Sequence, residues 1–292
     1  MGQRNLNTLD LDNLSTIDIL KKINDEDKKV AYCVEKQLKN ISKAVDLIVK
    51  SLEKGGRLIY VGSGTSGKMG VIDASECPPT FGVDDSMVQG IISGGDEALR
   101  GWLEHTEDNE ELAVEDLKKK DVNSRDILVG ITASGNTPYV KAAISYGKKI
   151  GCRAICVMCN DNGKIKDICD LTISVDVGAE VIMGSTRMKA GTAQKMILNM
   201  LSTTAMIKMG KTYSNLMVNV RPINAKLKNR IKEIVQLATE ADYKVVEEVL
   251  KKTDYDPKTA IVVIKKGVNV DEAKVLLKAN KGIVGKALNK FN

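Results

Sequence analysis

The chain has 292 residues, of which 43% are hydrophobic and 28% charged, and its net charge is +6. This length allows one large domain, or a medium domain with a small one. Aromatic residues make up only 3% of the chain, which disfavours base stacking with single-stranded nucleic acid. The positive charge is moderate and spread along the chain, which suits a small anionic ligand.

The sequence favours a cytoplasmic protein without a membrane partner. No apolar run has the length of a membrane-spanning helix, and no stretch resembles a signal peptide. Six cysteines are present, and Cys156 and Cys159 form a C-x-x-C pattern inside an apolar run. With a single histidine, His105, the chain offers few soft ligands, so we expect reduced core thiols and no metal site.

Short apolar runs rich in Val and Ile alternate with longer segments of helical character. Continuously apolar strands separated by helices are typical of a parallel sheet with helices on both faces, so the fold class is predicted to be α/β. The predicted strands are residues 57–64, 87–94, 126–134, 152–159 and 171–177. The predicted helices are residues 28–54, 66–75, 107–119, 138–150 and 186–209.

The pattern changes after Arg221 and Pro222. Residues 225–292 predict a small module of three helices, with helix starts at Asp256 and near Asn269. We therefore predict a core domain over residues 1–224, including N-terminal helices, and a C-terminal module over 225–292. A packing or dimerising role for this module is favoured over nucleic-acid binding.

Residues 60–69, YVGSGTSGKM, match G-x-G-x-x-G and most of G-x-x-x-x-G-K. A dinucleotide site requires an acidic residue about 20 residues further on, at the end of the next strand, and Asp96 lies too far along the chain. A triphosphate loop requires Ser or Thr after Lys68 to bind magnesium, and Met69 stands there. Both nucleotide interpretations are therefore disfavoured.

A second loop repeats the same chemistry. Ser63-Gly64-Thr65-Ser66 follows the first predicted strand, and Ser134-Gly135-Asn136-Thr137 follows the third. Each loop leads into a helix, where short hydroxyls, free backbone N–H groups and the positive end of the helix dipole favour a phosphate group. All eight residues are candidate phosphate contacts, and a sugar phosphate is the predicted ligand.

These two loops resemble those of the sugar isomerase (SIS) domain, a phosphosugar-binding α/β fold. The stretches DASECPPTFGV (73–83), EDNEE (107–111) and GSTRMKAGTAQKMILN (184–199) are similar to the N-acetylmuramic acid 6-phosphate etherase family, and the resemblance covers nearly the whole chain. It implies a flavodoxin-like layered sheet and a homodimer. It also implies cleavage of the D-lactyl ether to N-acetylglucosamine 6-phosphate and D-lactate, without a cofactor, in cell-wall amino sugar catabolism.

The resemblance also assigns catalytic residues. Glu76, in the S-E-C-P-P motif, would protonate the leaving lactate oxygen and then activate water, and Glu107, in the E-D-N motif, would assist ring opening or deprotonation at C2. Pro78 disfavours helical backbone in the preceding residue, so we expect a helix to end at Glu76. Lys189 and Arg187 are the cations expected to approach the phosphate or the lactyl carboxylate, unless they only form the first turn of a helix. Asn136 departs from the family, many members of which carry Arg there.

Two alternatives remain open. An aldose–ketose or aminosugar-phosphate isomerase of the same fold would use the same loops and a similar proton transfer at C2. A non-catalytic sensor would bind a phosphosugar without converting it. The presence of both Glu76 and Glu107 favours an etherase, and turnover of the bound sugar distinguishes the three.

Overall fold

The computed structural model of the protein describes residues 2–101, 103 and 105–289. The chain forms two compact units. The first consists of Met1–Ser75 and Asp85–Ser202, and the second consists of Glu76–Asp84 and Thr203–Asn292. The division falls inside two long helices, so neither unit is one continuous segment of chain.

The chain through Lys208 alternates strands and helices after two N-terminal helices. Short 3₁₀ turns lie at Leu6–Thr8, Leu11–Asn13 and Lys164–Asp167. The strands are β1 (Leu58–Gly62), β2 (Val88–Ile92), β3 (Ile127–Thr132), β4 (Arg153–Met158) and β5 (Leu171–Ser174). The helices are α1 (Thr16–Glu35), α2 (Leu38–Glu53), α3 (Gly64–Phe81), α4 (Gly95–Arg100), α5 (Glu110–Lys119), α6 (Pro138–Lys149) and α7 (Lys189–Lys208).

The five strands form a parallel sheet in the order β2-β1-β3-β4-β5. Every residue of β1 and β3 is buried, which explains why their sequences are continuously apolar. The predicted α/β class and flavodoxin-like sheet are confirmed. In this strand order the chain changes direction between β1 and β3, and ligands of such sheets bind outside the carboxyl ends of the strands at that point.

A buried polar network anchors two helices to β1. Tyr60 of β1 donates a hydrogen bond to Asp73 Oδ2 of α3, at 2.8 Å. Asn199 and Ser202 of α7 donate to Asp73 Oδ1, at 2.6 and 3.2 Å. Buried polar groups stabilise a fold when their hydrogen bonds are satisfied, and this network fixes the helix that begins at the first predicted loop.

The predicted helix over 28–54 is wrong in its extent, because the structure contains two helices there. The first begins at Thr16, where the Ser15 hydroxyl accepts a hydrogen bond from the Asp18 N–H as an N-cap. The break falls at Lys36 and Gln37. Neither is a glycine or proline, so the local sequence carries no sign of it.

The expectation that a helix ends at Glu76 is also wrong. Helix α3 continues through Pro78 and Pro79 to Phe81. The Gly82 N–H donates to the Pro78 carbonyl at 2.9 Å, so the last turn still closes. Proline removes an N–H donor and is most costly in a helix interior. Two prolines in the final turn affect only the end of the bonding pattern.

In the described part of the C-terminal region, the structure has five helices rather than the three predicted. A hairpin, β6 (Thr212–Tyr213) and β7 (Leu216–Met217), precedes them. The apolar run AIVVI (260–264), whose β-branched residues would suit a strand, is helical. The helices are α8 (Ala225–Thr239), α9 (Tyr243–Lys252), α10 (Pro257–Lys266), α11 (Val270–Ala279) and α12 (Val284–Asn289).

The second unit has more helices than predicted, because turns interrupt segments whose hydrophobic periodicity continues across them. The segment predicted as one helix over α8 and α9 is interrupted at Glu240, which has left-handed backbone with φ of 58°. Ile231, Val235, Val246 and Leu250 nevertheless pack in a single apolar core. Among the residues that the structure describes, no helix is long and apolar enough to span a membrane.

Candidate active site

The two Ser-Gly loops lie at the carboxyl ends of β1 and β3, which are hydrogen-bonded neighbours in the sheet. The first loop leads into α3 and the second into α6, so the amino ends of both helices lie at the same edge of the sheet. Because the positive ends of helix dipoles attract anions, this edge is electrostatically suited to a phosphate group. Their position is the one expected for a ligand in this strand order.

The glycines around the first loop serve close packing between strand and helix. A Cβ on Gly67 would lie 2.7 Å from the Gly62 carbonyl oxygen and 2.6 Å from Ile92 Cγ1. A Cβ on Gly62 would lie 2.6 Å from the Gly67 nitrogen. Gly64 has a φ of +53°, which favours glycine. The turn geometry thus accounts for the G-x-G-x-x-G pattern without a dinucleotide.

The first loop offers donors that the protein leaves unused. Ser63 Oγ is buried and has no hydrogen-bond partner among the described residues. The N–H groups of the first helical turn, Gly64, Thr65 and Ser66, lack intrahelical partners. The Ser66 hydroxyl is used differently, because it donates to Gln194 Oε1 of α7 at 3.0 Å. A buried hydroxyl without a partner is costly, and Ser63 therefore indicates a ligand.

The second loop is held by its own hydrogen bonds. The Gly135 N–H donates to Thr132 Oγ1, and the Asn136 N–H donates to Ser134 Oγ. The Asn136 side chain donates to the Ser134 carbonyl and accepts from the Lys164 N–H at 3.1 Å. Gly135 and Asn136 therefore shape the loop, and the structure does not place them in the lining of the cleft described next.

A cleft of about 760 Å³ opens over these two loops. It is predominantly polar, and it contains most of the predicted phosphate contacts together with Glu107. Its described lining is Ser63, Gly64, Thr65, Ser66, Lys68, Ser93, Ala98, Gly101, Leu103, His105, Thr106, Glu107, Asp108, Ala133, Ser134, Thr137 and Thr186.

The main chain fixes Glu107 beside the second loop. Its carbonyl accepts a hydrogen bond from the Tyr139 N–H at 3.0 Å, in the first turn of α6. The Tyr139 hydroxyl donates to Asp116 of α5 at 2.7 Å; burial raises the pKa of Tyr139, so it stays a donor. The predicted helix over 107–119 begins only at Glu110, so Glu107 lies in a turn and its side chain is exposed.

Glu76 is also exposed, but it lies in α3 about three helical turns beyond the first loop. It belongs to the second compact unit and is not among the residues that line the cleft. Of the two predicted catalytic glutamates, Glu107 is the one that lines the same cleft as the phosphate loops.

The expectation that Lys189 contacts the ligand is not supported. Lys189 is 2% exposed, and its ammonium group donates to Glu26 Oε2 at 2.6 Å. The amino end of α7 is occupied as well, because the Glu180 carboxylate accepts from the Lys189 and Ala190 N–H groups at 3.0 and 2.9 Å. A pairing across 163 residues of sequence cannot be read from the local motif, which suggested a free cation at a helix start.

Burial would raise the pKa of Glu26, but hydrogen bonds from Lys189 and Lys29 outweigh it and lower the pKa to about 2. The carboxylate thus stays charged and paired with Lys189. Asn7 also donates to it, and Thr8 donates to the Val181 carbonyl at 2.9 Å. This network secures the segment before α7, which includes the cleft residue Thr186.

Sequence reasoning missed several cleft residues. Ser93 follows β2 and lies 3.3 Å from Thr106, oxygen to oxygen. Its Ser93-Gly94-Gly95 sequence is a third small polar loop at a strand end, and this is the signal that identifies it. His105, the single histidine of the chain, also lines the cleft. Lys68 was used only to test the triphosphate pattern.

Four of the six cysteines are buried, as expected for core thiols, and Cys33 and Cys169 are partly exposed. None of the six forms a disulfide bond, and Cys156 and Cys159 are buried. Burial raises the pKa of Cys159 to about 12, so its thiol is protonated at neutral pH. Within the described residues, no three His, Cys, Asp or Glu side chains are grouped so that they could hold a metal ion.

The fold and the paired loops define a protein of the sugar isomerase (SIS) class. Residues 40–148 match the family model described as the glucokinase regulatory protein N-terminal SIS domain. A phosphoheptose isomerase from Francisella tularensis aligns with a TM-score of 0.51 at 16% identity, covering 66% of this chain and 98% of that one. The phosphoheptose isomerase of Neisseria gonorrhoeae gives 0.50 at 16% identity, with 65% and 98% covered.

Sequence comparison narrows the class to one family. N-acetylmuramic acid 6-phosphate etherase from Caldanaerobacter subterraneus subsp. tengcongensis is 52% identical over 98% of this chain and 93% of its own length. The proteins of that name from Clostridium beijerinckii and Photorhabdus laumondii are each 50% identical, over 99% and 96% of this chain and 95% and 93% of their own lengths. The chain belongs to the N-acetylmuramic acid 6-phosphate etherase family.

Proposed function

We propose that this protein is an enzyme that cleaves the D-lactyl ether of N-acetylmuramic acid 6-phosphate, giving N-acetylglucosamine 6-phosphate and D-lactate in amino sugar catabolism. The observation that carries the proposal is the pair of phosphate-type loops with Glu107 in the same cleft. Family membership supports the choice of substrate.

An unactivated ether resists direct hydrolysis, so the reaction is expected to use the aldehyde of the open-chain sugar. The aldehyde at C1 acidifies the proton on C2. A base removes that proton, the C3–O bond breaks, and protonated lactate leaves, which gives a 2,3-unsaturated aldehyde. Water then adds at C3 and a proton returns to C2. The net change is the addition of one water molecule to the ether, achieved by general acid and base catalysis.

The cleft residues divide this work. Ser63, Thr65, Ser134 and Thr137 and the N–H groups of the first loop would bind the 6-phosphate. Glu107 would move the proton at C2, because this residue lines the same cleft as the phosphate loops. Glu76 is proposed as the acid for lactate on the family motif alone; its exposed carboxyl is accessible to a ligand.

Two further properties belong to this proposal. A homodimer is expected from the family resemblance, and a cytoplasmic location accords with six cysteines that form no disulfide bond. Sedimentation at micromolar concentration tests the first, and a particle with twice the chain mass of 31.7 kDa is the expected result.

The direct test is D-lactate release from N-acetylmuramic acid 6-phosphate by the wild type, Glu107→Gln and Glu76→Gln. We expect release by the wild type and a loss of about 10²–10⁴-fold in kcat in each variant, the usual contribution of a general acid or base. N-acetylglucosamine 6-phosphate should still bind both variants. A folded wild type that binds this sugar phosphate and releases no lactate would contradict the proposal and favour a sensor.

A further inference from the structure

The cleft contains a lysine, Lys68, that has no role in the ether cleavage proposed above. Lys68 lies in the second turn of α3 and is half-buried. It is the one lysine or arginine in the described lining of the cleft. Within the described part of the chain, its ammonium group makes one hydrogen bond, which is long, to the Gly101 carbonyl oxygen at 3.5 Å. No carboxylate among the described residues lies within ion-pairing distance of it, so its charge is available to a ligand.

The position of Lys68 separates it from the phosphate loops. Gly101 follows β2 and α4, and β2 lies on the opposite side of β1 from β3. The second loop lies at the end of β3. Lys68 therefore reaches from α3 toward the β2 side of the cleft, whereas the two Ser-Gly loops come together on the β3 side.

The proposed substrate carries two anionic groups that need recognition. Hydroxyl and N–H groups of the two loops serve the phosphate. The lactyl group is attached at C3, away from the 6-phosphate. Its carboxylate enters a cleft that already contains Glu107 and Asp108. Like charges at short distance disfavour the ionised forms, so a carboxylate in this cleft requires a compensating cation.

We propose that Lys68 binds the D-lactyl carboxylate and so distinguishes the substrate from its delactylated relative, N-acetylglucosamine 6-phosphate. This inference rests on the proposed function. An ammonium–carboxylate hydrogen bond is about twice as strong as a neutral one. The contact is present in the substrate and absent in N-acetylglucosamine 6-phosphate, so Lys68 lets the sugar product leave more readily than the substrate.

A cycle of two proteins and two ligands tests this assignment. The proteins are the wild type and Lys68→Met, which keeps the apolar length of the side chain and removes the charge. The ligands are N-acetylmuramic acid 6-phosphate and its lactyl primary amide, which has no negative charge at that position. Affinities come from calorimetry on the Glu107→Gln background, which slows turnover. N-acetylglucosamine 6-phosphate is the control ligand, and Lys68→Arg is the conservative variant.

We expect Lys68→Met to weaken binding of the muramic acid phosphate by about 10- to 100-fold, the range for a hydrogen bond between charged groups. The amide should bind both proteins equally, and binding of the control ligand should be unchanged. Lys68→Arg should restore most of the affinity. An equal loss for the control ligand would assign Lys68 to the phosphate instead, and unchanged binding of all three ligands would leave it no role.

The cycle separates this inference from the proposed function. If the wild type releases no lactate, the proposed function fails, yet the affinity difference between acid and amide still reports on Lys68. If the wild type releases lactate and Lys68→Met binds the acid as tightly as before, only the assignment of Lys68 fails.

Discussion

Substitution of Ser63 should affect the stability of the free protein and its affinity for the ligand in different ways. Its buried hydroxyl has no partner among the described residues. Removing an unsatisfied buried group costs the free protein little or stabilises it. Ser63→Ala should therefore leave the free energy of unfolding unchanged or higher, while the affinity for N-acetylglucosamine 6-phosphate falls about tenfold.

Urea denaturation and calorimetry measure the two effects of Ser63→Ala. Ser145→Ala, on the exposed side of α6, is the matched control and should change neither quantity. A variant that is less stable and binds as tightly as the wild type would make Ser63 a structural residue.

Close packing against the neighbouring backbone explains why residue 67, beside the first loop, is a glycine. A Cβ there would lie 2.7 Å from the Gly62 carbonyl oxygen, which is backbone and cannot move aside independently. Gly67→Ala should lower the free energy of unfolding by about 1–3 kcal/mol, as overpacking does. The contrasting variant is Gly285→Ala in α12, where no atom lies within 4 Å of the new Cβ; it should be neutral or stabilising. Equal effects would show that close packing is not the constraint.

At the scale of elements, the buried ion pair between Glu26 of α1 and Lys189 of α7 stabilises the fold only while both partners are present. Glu26→Gln leaves the Lys189 ammonium buried without its carboxylate, so the free energy of unfolding should fall by about 3–5 kcal/mol. The control is Lys29→Met, because Lys29 contacts the same carboxylate and its side chain is 52% exposed; it should cost less than about 1 kcal/mol. Thermal and urea unfolding give both values. Similar losses in the two variants would contradict the account of Lys189.

The elements differ in how far sequence predicts them. The parallel sheet is readable because continuously apolar strands separated by helices have few other arrangements. The two Ser-Gly loops can be predicted as phosphate sites because each joins the end of a strand to the start of a helix, where hydroxyls and free N–H groups favour an anion. The break at Lys36, the turn at Glu240 and the passage of α3 through Pro78 were missed, since tertiary packing overrides weak local preferences. The burial of Lys189 could not be predicted because its partner, Glu26, is remote in sequence.

At the scale of the whole molecule, acid should destabilise the protein through carboxylates whose pKa the fold lowers. The pKa of Glu26 falls from 4.5 to about 2. Burial would raise the pKa of Asp170, but Lys148, the Ala154 N–H and Arg153 lower it. A folded pKa below the unfolded one gives stability that is present above the unfolded value and lost as pH falls toward the folded one.

The free energy of unfolding should therefore decrease between about pH 5 and pH 2. Urea titrations at several pH values across this window measure it. The slope should be smaller in Glu26→Gln, because that variant has no titrating group at this position. A slope identical to that of the wild type would show that Glu26 contributes nothing to the acid response.

The central claim concerns which bond breaks, and the position of an oxygen isotope tests it most directly. N-acetylmuramic acid 6-phosphate is incubated with the wild type in H₂¹⁸O, and both products are examined by mass spectrometry. Elimination followed by water addition predicts ¹⁸O at C3 of N-acetylglucosamine 6-phosphate and none incorporated into D-lactate during cleavage. Label in the lactate hydroxyl, with none at C3, would mean that water attacks the lactyl carbon, and would contradict the account.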